Sequence, residues 1–199
     1  MDRPRNSTDG LRVRKKARTR SEIQSHALRL FREQGYDATT VQQIIANADV
    51  SESTFFRYFP SKAAVVLFDD VDPLIVDAFR RQPRDISSLQ AMRAAFKETF
   101  TQLSTQEFAD QMERMRLSIT VPELRCAVLD QFAEAMTSLV GVLVERTGRK
   151  ADDIAVRTFA GAVVGVAISA MFAISENPSR SLVDLIDESM ACLDEGFDF

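Results

Sequence analysis

Residues 38–62 read ATTVQQIIANADVSESTFFRYFPSK and encode two short helices separated by a tight turn. Thr40 can cap the first helix and Ser51 the second, because a hydroxyl accepts hydrogen bonds from the free amides of a first helical turn. The turn at 47–50 has the length that joins two helices at a steep angle in a helix-turn-helix. This stretch therefore predicts a small all-helical unit near the start of the chain.

The apolar residues of this stretch predict how the two helices pack. Phe55 and Phe59 are four residues apart and should face one core, with Val50 in the gap between the helices. The other expected members of this core are Ile44 and Ile45 and, from a preceding helix, Leu30 and Phe31. The outward face of the second helix then carries Glu52, Ser53, Phe56 and Arg57. A phenylalanine on the outward face of so short a helix is costly unless it contacts something.

Helical spacing continues along the rest of the chain. Apolar residues recur at intervals of three and four, and no run alternates convincingly as a β-strand would. We therefore predict an all-α protein of about nine or ten helices. Pro73 is expected at a break or helix start and Pro83 at the end of that segment. The other predicted helices cover about 19–34, 40–48, 51–59, 61–68, 85–103, 105–119, 122–147, 152–175 and 180–197.

Length and composition limit the class of protein. The 199 residues suit one or two domains, and 45% hydrophobic with 27% charged residues is an ordinary globular balance. Cys126 and Cys192 are too far apart for a CxxC metal site, and one histidine, His26, leaves little material for a metal centre or a triad. We predict neither a metal nor a cofactor. Because the first residues lack the apolar core of a secretory signal, we expect a cytoplasmic protein.

Charge is divided unevenly along the chain. Residues 1–20 hold eight Arg and Lys against two Asp, a net charge of +6, while residues 61–199 carry a net charge of −8. A basic arm in front of an acidic body suggests a polyanion as the partner of one end. A solvated, disordered tail is the alternative that charge alone leaves open.

The run FAGAVVGVAISAMFAI, residues 159–174, is uncharged and mostly apolar. It is shorter than the about 18–20 residues expected of a membrane span, and Gly161 and Gly165 within it allow close approach of another helix. A soluble helix that is apolar on all sides must be covered all round. We expect a second subunit to cover it; a central position in a monomer is the alternative, and a membrane span is the least favoured reading.

Residues 19–66 resemble the N-terminal domain of TetR-type (tetracycline-repressor-like) transcriptional regulators. The matching positions of the family pattern are Gly35, Tyr36, Thr39, Thr40, Ile44, Val50, Ser51, Thr54, Phe56, Tyr58, Phe59 and Lys62. Asp49 stands where the turn usually has Gly, although aspartate tolerates a left-handed backbone. Phe56 stands where Tyr is usual, which removes a hydroxyl that would donate to a phosphate.

The resemblance implies a division of the chain and a function. Residues 1–18 would form a basic flexible arm, 19–65 the helix-turn-helix domain, and 66–199 an effector-binding and dimerisation domain. The protein would be a ligand-responsive regulator, most often a repressor, that a small apolar effector releases from a palindromic operator in double-stranded DNA. A looser likeness of residues 69–83 and 114–125 to the mycofactocin-regulator subgroup points to an acyl-CoA-type effector.

The same resemblance assigns roles around the second helix of the motif, whose N-terminal half would face base edges in the major groove. The predicted base readers are Glu52, Ser53, Thr54 and Arg57, with Gln42 reaching in from the preceding helix and Phe56 exposed beside them. The predicted phosphate contacts are Thr40, Tyr58 and Lys62. Arg18 and Arg20 of the arm would follow the backbone or enter the minor groove.

The body is expected to hold the effector and to form a homodimer through its last two helices. The candidate pocket residues are Phe96, Phe100, Met112, Met115, Arg116, Phe132, Met136 and Phe172. The candidate interface residues are Gly161, Gly165, Ile168, Leu182, Leu185 and Ile186. Ordinary packing within one chain is the alternative for both sets.

Two other classes of function remain open at this point. An enzyme is disfavoured because the chain has no Gly-rich phosphate loop, no GxSxG and no HExxH, and we predict no catalytic residue. The other class is an all-helical ligand- or partner-binding protein that does not bind an operator, against which the basic arm argues.

Overall fold

A computed structural model describes residues 6–196 of the chain. Within that range it contains ten α-helices and no strand, which confirms the all-α class. The helices are α1 Asn6–Gln34, α2 Val41–Asn47, α3 Glu52–Tyr58, α4 Lys62–Leu67, α5 Val71–Arg81, α6 Ser88–Gln102, α7 Thr105–Thr120, α8 Pro122–Thr147, α9 Ile154–Glu176 and α10 Leu182–Glu195.

The helices α1 to α4 form a head with a core of its own. Phe31, Phe55 and Phe59 are at most 1% exposed at its centre, as the apolar spacing predicts. Ile44 is fully buried beside them, whereas Leu30, Ile45 and Val50 are partly buried against the same cluster. Leu117 of α7 and Leu124 of α8 also belong to this core, so the head rests on the junction between those two helices.

The helices α5 to α10 form the body around a second, larger core. α5 packs on α6 and α8, α10 packs on α6 and α9, and α7 contacts both the body and the head through α1, α4, α8 and α9. Pro73 lies in the first turn of α5, where its fixed φ fits the helix. The carboxylate of Asp69 accepts from the amide of Val71 at 2.7 Å and so starts this helix.

The N-terminal arm differs from the expectation. α1 begins at Asn6, so residues 6–18 continue the first helix of the head instead of forming a flexible arm. Apolar spacing missed this extension because the segment has almost no apolar face, whereas Arg and Lys are good helix formers and the Arg18–Glu22 pair at 2.8 Å supports the helix. Arg3 and Arg5, and the predicted end of the last helix at Phe197, lie outside the described residues.

α9 has two opposite apolar faces with different surroundings. One face is buried and includes Val156, Ala160, Val163 and Ala170. The other carries Ile154 and Phe172, which are 77% and 52% exposed, with Gly165 exposed between them. By length and composition both α8 and α9 would be apolar enough to cross a membrane. One face of α9 is thus buried against the rest of the chain, as in a core helix. The exposed apolar face is the one that a further surface would cover.

Three of the six candidate interface residues are placed elsewhere. Leu182, Leu185 and Ile186 are 2%, 6% and 4% exposed within the chain, so they pack in the body and leave no surface for a second copy. These three residues pack within the chain, because the apolar face of α10 covers α6 and α9. Gly161 and Ile168 are partly exposed and Gly165 is exposed, so these three remain available.

We predict that Phe79→Ala lowers the free energy of unfolding by about 3–5 kcal/mol, because it removes a fully buried ring from the contact between α5 and its neighbours. Leu74→Ala is the matched control on the same helix, since Leu74 is 48% exposed and should cost at most about 0.5 kcal/mol. Urea unfolding followed by circular dichroism measures both. Equal midpoints for the two variants would contradict the packing described for α5.

Candidate nucleic-acid interface and ligand cavity

α3 presents a polar face to solvent on the outside of the head. Ser51 caps the helix by accepting from the amide of Thr54 at 3.2 Å, which satisfies one of the free donors of the first turn. Glu52, Ser53 and Arg57 are exposed, as predicted. Phe56 is 45% exposed and its ring packs edge-on against that of Phe55, with 5.3 Å between centroids. The exposed aromatic is therefore held rigidly beside the polar side chains.

The turn between α2 and α3 fixes their relative orientation. Asp49 has a φ of 51°, so the left-handed position expected at this turn is present without a glycine. Thr40 caps α2 in a reciprocal capping box, in which the Gln43 amide donates to Thr40 Oγ1 at 3.2 Å and the Thr40 amide to Gln43 Oε1 at 2.8 Å. Gln42 is exposed on the same short helix, at the position from which it was expected to reach a base.

The predicted phosphate contacts are partly engaged within the head. Thr40 is exposed although its hydroxyl takes part in the capping box. Tyr58 is partly buried, and the guanidinium carbon of Arg57 lies 5.2 Å from its ring centroid. Thr54, a predicted base reader, is partly buried and accepts from the Ser51 hydroxyl at 2.9 Å. These contacts orient the side chains, and Arg57, the one cation of α3, is exposed.

Lys62 differs most from its expected role. Its ammonium donates to the carbonyl of Tyr36 at 2.8 Å and to that of Thr39 at 3.2 Å, and it lies 4.1 Å from the centroid of the Tyr36 ring. The side chain therefore joins α4 to the segment before α2. Its charge stabilises the head from inside, and a phosphate would have to compete with these carbonyls.

The basic residues of α1 lie beyond the end of α3. The guanidinium carbon of Arg20 sits 4.4 Å from the ring centroid of Phe68 and 6.0 Å from that of Tyr58. Arg18 is exposed and pairs with Glu22. Arg12, Arg14, Lys15 and Lys16 are exposed along the preceding turns. The predicted basic surface therefore lies on α1, and Arg20 brings one end of it beside Tyr58.

A partly open cavity of about 130 Å³ lies in the body and reaches Val66 of α4. Four of the predicted pocket residues line it, namely Phe96, Phe100, Met115 and Phe132. Leu182 and Ile186 of α10, which were expected at the dimer interface, close another part of its wall. The apolar wall is therefore built by aromatic and thioether side chains together with the helix that covers the body.

The other four predicted pocket residues lie outside this cavity. Met112 and Arg116 line a groove of about 380 Å³, where Arg116 pairs with Glu113 at 2.7 Å. Phe172 lines a second, apolar groove of about 280 Å³. Met136 borders none of these three spaces and packs towards Gly161. Met171 lines all three spaces, so movement of that side chain would connect the cavity to the grooves.

One end of the cavity is polar and is built around Arg114. This side chain is 7% exposed, pairs with Asp69 at 2.7 Å and Asp70 at 3.5 Å, and donates from Nε to the carbonyl of Val66 at 3.3 Å. Asp72 lines the same end. Removal from bulk water and repulsion from Asp69 raise the pKa of Asp72 to about 6, against the opposing attraction of Arg114.

The carbonyls at the end of α4 are held by side chains from three other helices. Gln24 of α1 donates to the carbonyls of Val65 at 2.7 Å and Phe68 at 2.9 Å. Arg114 of α7 donates to Val66, and Gln131 of α8 donates to Leu67. A helix leaves its last carbonyls without intrahelical partners, so these donors complete α4. Arg114 and Gln131 also line the cavity, which links the cavity wall directly to the last helix of the head.

Two family descriptions match this chain. Residues 23–67 match the bacterial regulatory proteins of the tetR family, and residues 86–198 match the MftR C-terminal domain. The chain belongs to the TetR family of transcriptional regulators. Among its curated relatives in the family, TcmR of Streptomyces glaucescens is 36% identical over 151 residues, which cover 72% of this chain and 67% of TcmR. A protein described as the mycofactocin biosynthesis regulator MftR of Mycobacterium tuberculosis is 27% identical over 198 residues, covering 93% and 94% of the two chains.

Solved structures of TetR-family proteins share the fold. A regulator from Syntrophomonas wolfei superposes with a TM-score of 0.67 at 15% identity, over 90% of this chain and 96% of its own. FadR of Thermus thermophilus, solved in complex with lauroyl-CoA, superposes with a TM-score of 0.58 at 22% identity, over 90% and 95%. The predicted family, all-α class and regulator function are therefore confirmed, and TetR-family members act as DNA-binding, typically ligand-responsive repressors.

The sequence of this TetR-family chain did not lead us to predict the polar end of the cavity. Arg114 pairs with Asp69 and Asp70 at the α4–α5 junction, and these partners are too distant along the chain for helical periodicity to predict. A signal was present: Gln111, Arg114 and Ser118 have helical spacing and together form a polar stripe on the inward side of α7. Gln24 and Gln131 gave no such signal, since a single glutamine in a helix is usually a surface residue.

Proposed function

We propose that this regulator binds a palindromic operator as a homodimer in the cytoplasm, represses transcription there, and leaves the operator when a small, largely apolar effector fills the body cavity. The observation that carries the proposal is the outward face of α3, where Glu52, Ser53 and Arg57 are exposed on a helix that is capped and backed by a rigid core. A helix presented in this way fits the major groove of B-DNA.

The side chains of α3 suggest a division of labour on the operator. Arg57 has the fork of donors that binds guanine bidentately, and Glu52 has the acceptors that suit the amino group of cytosine. Ser53 and Gln42 supply further contacts to base edges or to the backbone. Phe56 would contact a thymine methyl, which would account for an aromatic ring that is 45% exposed on a polar face.

The basic part of α1 would support DNA binding without recognising the base sequence. Arg12, Arg14, Lys15, Lys16 and Arg18 are exposed and carry positive charge beyond the end of α3. Their charges would neutralise phosphates and release counterions, so this part of the affinity should fall steeply with added salt.

The exposed strip of α9 is the proposed dimer interface. Ile154, Gly161, Gly165 and Phe172 recur at helical spacing on one side, opposite the face that packs in the body. A contiguous apolar strip of this length is expected to be covered in a protein that stays in solution. A second copy of α9 would cover it, and the exposed glycines would let the two helices approach closely.

The cavity is the proposed effector site. Its volume of about 130 Å³ suits a compact apolar group, and opening at Met171 would add the neighbouring grooves for a longer ligand. An acyl-CoA-type effector remains a candidate because FadR of T. thermophilus, which shares the fold, was solved with lauroyl-CoA. The aromatic and thioether walls suit an acyl chain as well as a ring.

The donors at the end of α4 supply a route from the cavity to the operator. A ligand that displaces Arg114 or Gln131 would leave the carbonyls of Val66 and Leu67 without partners, so α4 would have to move or fray. Because α4 belongs to the core of the head, its movement would change the distance between the two copies of α3. A ligand can shift this equilibrium only by its difference in affinity for the two arrangements.

Arg57→Ala should weaken operator binding by about 1–3 kcal/mol and relax the preference at one base pair of each half-site, because a bidentate contact to a base is lost. Lys150→Ala is the control, since it removes an exposed charge just beyond the far end of α8. Footprinting and titration with DNA from around the gene measure both variants. Unchanged protection and affinity in Arg57→Ala would remove this residue from the set of base readers.

Gly165→Glu should convert the dimer to a monomer and lower operator affinity at least tenfold, because one helix-turn-helix reads only part of the site. The fold of the protomer should survive, since a Cβ at Gly165 would meet nothing within 4 Å. Gly141→Glu is the control, because Gly141 is an exposed helical glycine of α8 with equally open space. Light scattering after size exclusion gives the mass; a dimeric Gly165→Glu protein would rule out this interface.

Gln131→Leu should raise amide hydrogen exchange in residues 62–72 by about 5- to 150-fold, because an unsatisfied buried carbonyl costs about 1–3 kcal/mol. Glu134→Leu, at an exposed position one turn further along α8, should leave exchange there unchanged. Mass spectrometry of deuterated peptides provides the measurement. If both variants exchange like the unmodified protein, Gln131 does not stabilise α4.

A further inference from the structure

A buried acceptor in the cavity wall has no partner among the described residues. Gln111 of α7 is 8% exposed, lines the cavity, and its Oε1 atom accepts no hydrogen bond. Buried polar atoms in folded proteins are nearly always paired, because an unpaired one loses its hydration without compensation. The atom is therefore open to a donor from outside the chain, such as a ligand or a water molecule.

A second acceptor at the same end is also uncommitted. Asp72 of α5 lines the cavity, is itself exposed, and forms no ion pair and no side-chain hydrogen bond among the described residues, whereas neighbouring Asp69 makes three contacts. Repulsion from Asp69 contributes, after removal from water, to the raised pKa of Asp72. A donor or a cation at this position would relieve the repulsion.

The one cation that lines this end of the described cavity is already committed. Arg114 is paired with both Asp69 and Asp70 and also donates to the carbonyl of Val66. Three aspartates surround one arginine, so the polar end carries an excess of negative charge. An anionic head group would have to break these pairs and would then face Asp72.

We infer that the cavity takes an apolar ligand bearing a hydrogen-bond donor, preferably a protonated amine, whose donor binds Asp72 and Gln111 while its apolar part lies among Phe96, Phe100 and Phe132. This inference rests on the proposed function, because it gives the chemical class of the effector. A donor to Gln111 Oε1 would pair the buried acceptor, and a charge-assisted hydrogen bond to Asp72 would be the stronger of the two contacts.

Small aromatic probes test this chemistry at the scale of the cavity. An apolar cavity of about 150 Å³ in another protein binds benzene, and the present one has about 130 Å³. Benzylamine, benzyl alcohol and benzoate share a ring and differ in the polar group, which is a cation, a neutral donor and an anion at neutral pH. Titration calorimetry with the full chain should rank them in that order, with benzylamine at least about tenfold tighter than benzoate.

Two substitutions separate the contributions of the acceptors. Asp72→Asn should weaken benzylamine about tenfold with a smaller effect on benzyl alcohol, because only the ammonium loses a charged partner. Gln111→Met should weaken both donors, since it replaces the unpaired acceptor by an apolar group of similar length. Asp77→Asn is the control, because Asp77 lies on the same helix and is exposed like Asp72 but does not line the cavity; it should change neither affinity.

The outcomes distinguish this inference from the proposed function. Tighter binding of benzoate, or equal effects of Asp72→Asn and Asp77→Asn, would overturn the ligand chemistry and leave the cavity as an effector site. If neither these probes nor benzene binds, the inference fails and the cavity also loses its proposed effector role. Operator binding by the same preparation is measured separately and depends on neither result.

Discussion

The last carbonyls of α4 must find donors outside their own helix, because any helix leaves its final turn of C=O groups unpaired. In this protein the donors are Gln24 from the head and Arg114 and Gln131 from the body. A six-residue helix has little stability of its own, so its position depends on these side chains and on the burial of Val65 and Val66. The arrangement of head and body is thus tied to groups that also line a cavity.

The polar end of that cavity combines two kinds of group. Arg114 and Gln131 have donors that are used to hold the backbone, whereas Gln111 and Asp72 have acceptors that remain unused. Arg114 and Gln131 couple the cavity to the position of α4, whereas Gln111 and Asp72 give the cavity a preference among ligands. Because all four residues line the same cavity, a molecule that satisfies the acceptors shares that space with the donors that position the head.

The two faces of α9 explain why this helix is apolar all round. The inner face packs in the body, and the outer face leaves Ile154 and Phe172 in solvent within a single chain. α10 does not have two apolar faces of this kind, since its residues Leu182, Leu185 and Ile186 are buried against α6 and α9. A single apolar pattern in the sequence therefore corresponds to two kinds of surface, and only burial distinguishes them.

The sequence by itself determined the local structure of the head and the family. Capping residues such as Thr40 and Ser51, the spacing of Phe55 and Phe59, and the left-handed Asp49 act within a few residues, so their effects can be inferred from order along the chain. The α-helical class followed for the same reason. The N-terminal extension of α1 escaped because it rests on helix propensity and an ion pair and has almost no apolar face.

Tertiary structure decided which distant groups meet. It directed Lys62 to the carbonyls of Tyr36 and Thr39, and it paired Arg114 with Asp69 across 45 positions of sequence. It also divided seven of the eight predicted pocket residues among three neighbouring spaces and left Met136 outside all of them. Periodicity shows which face of a helix is apolar, but the partner of that face depends on how the helices pack against one another, and this is set by the whole chain.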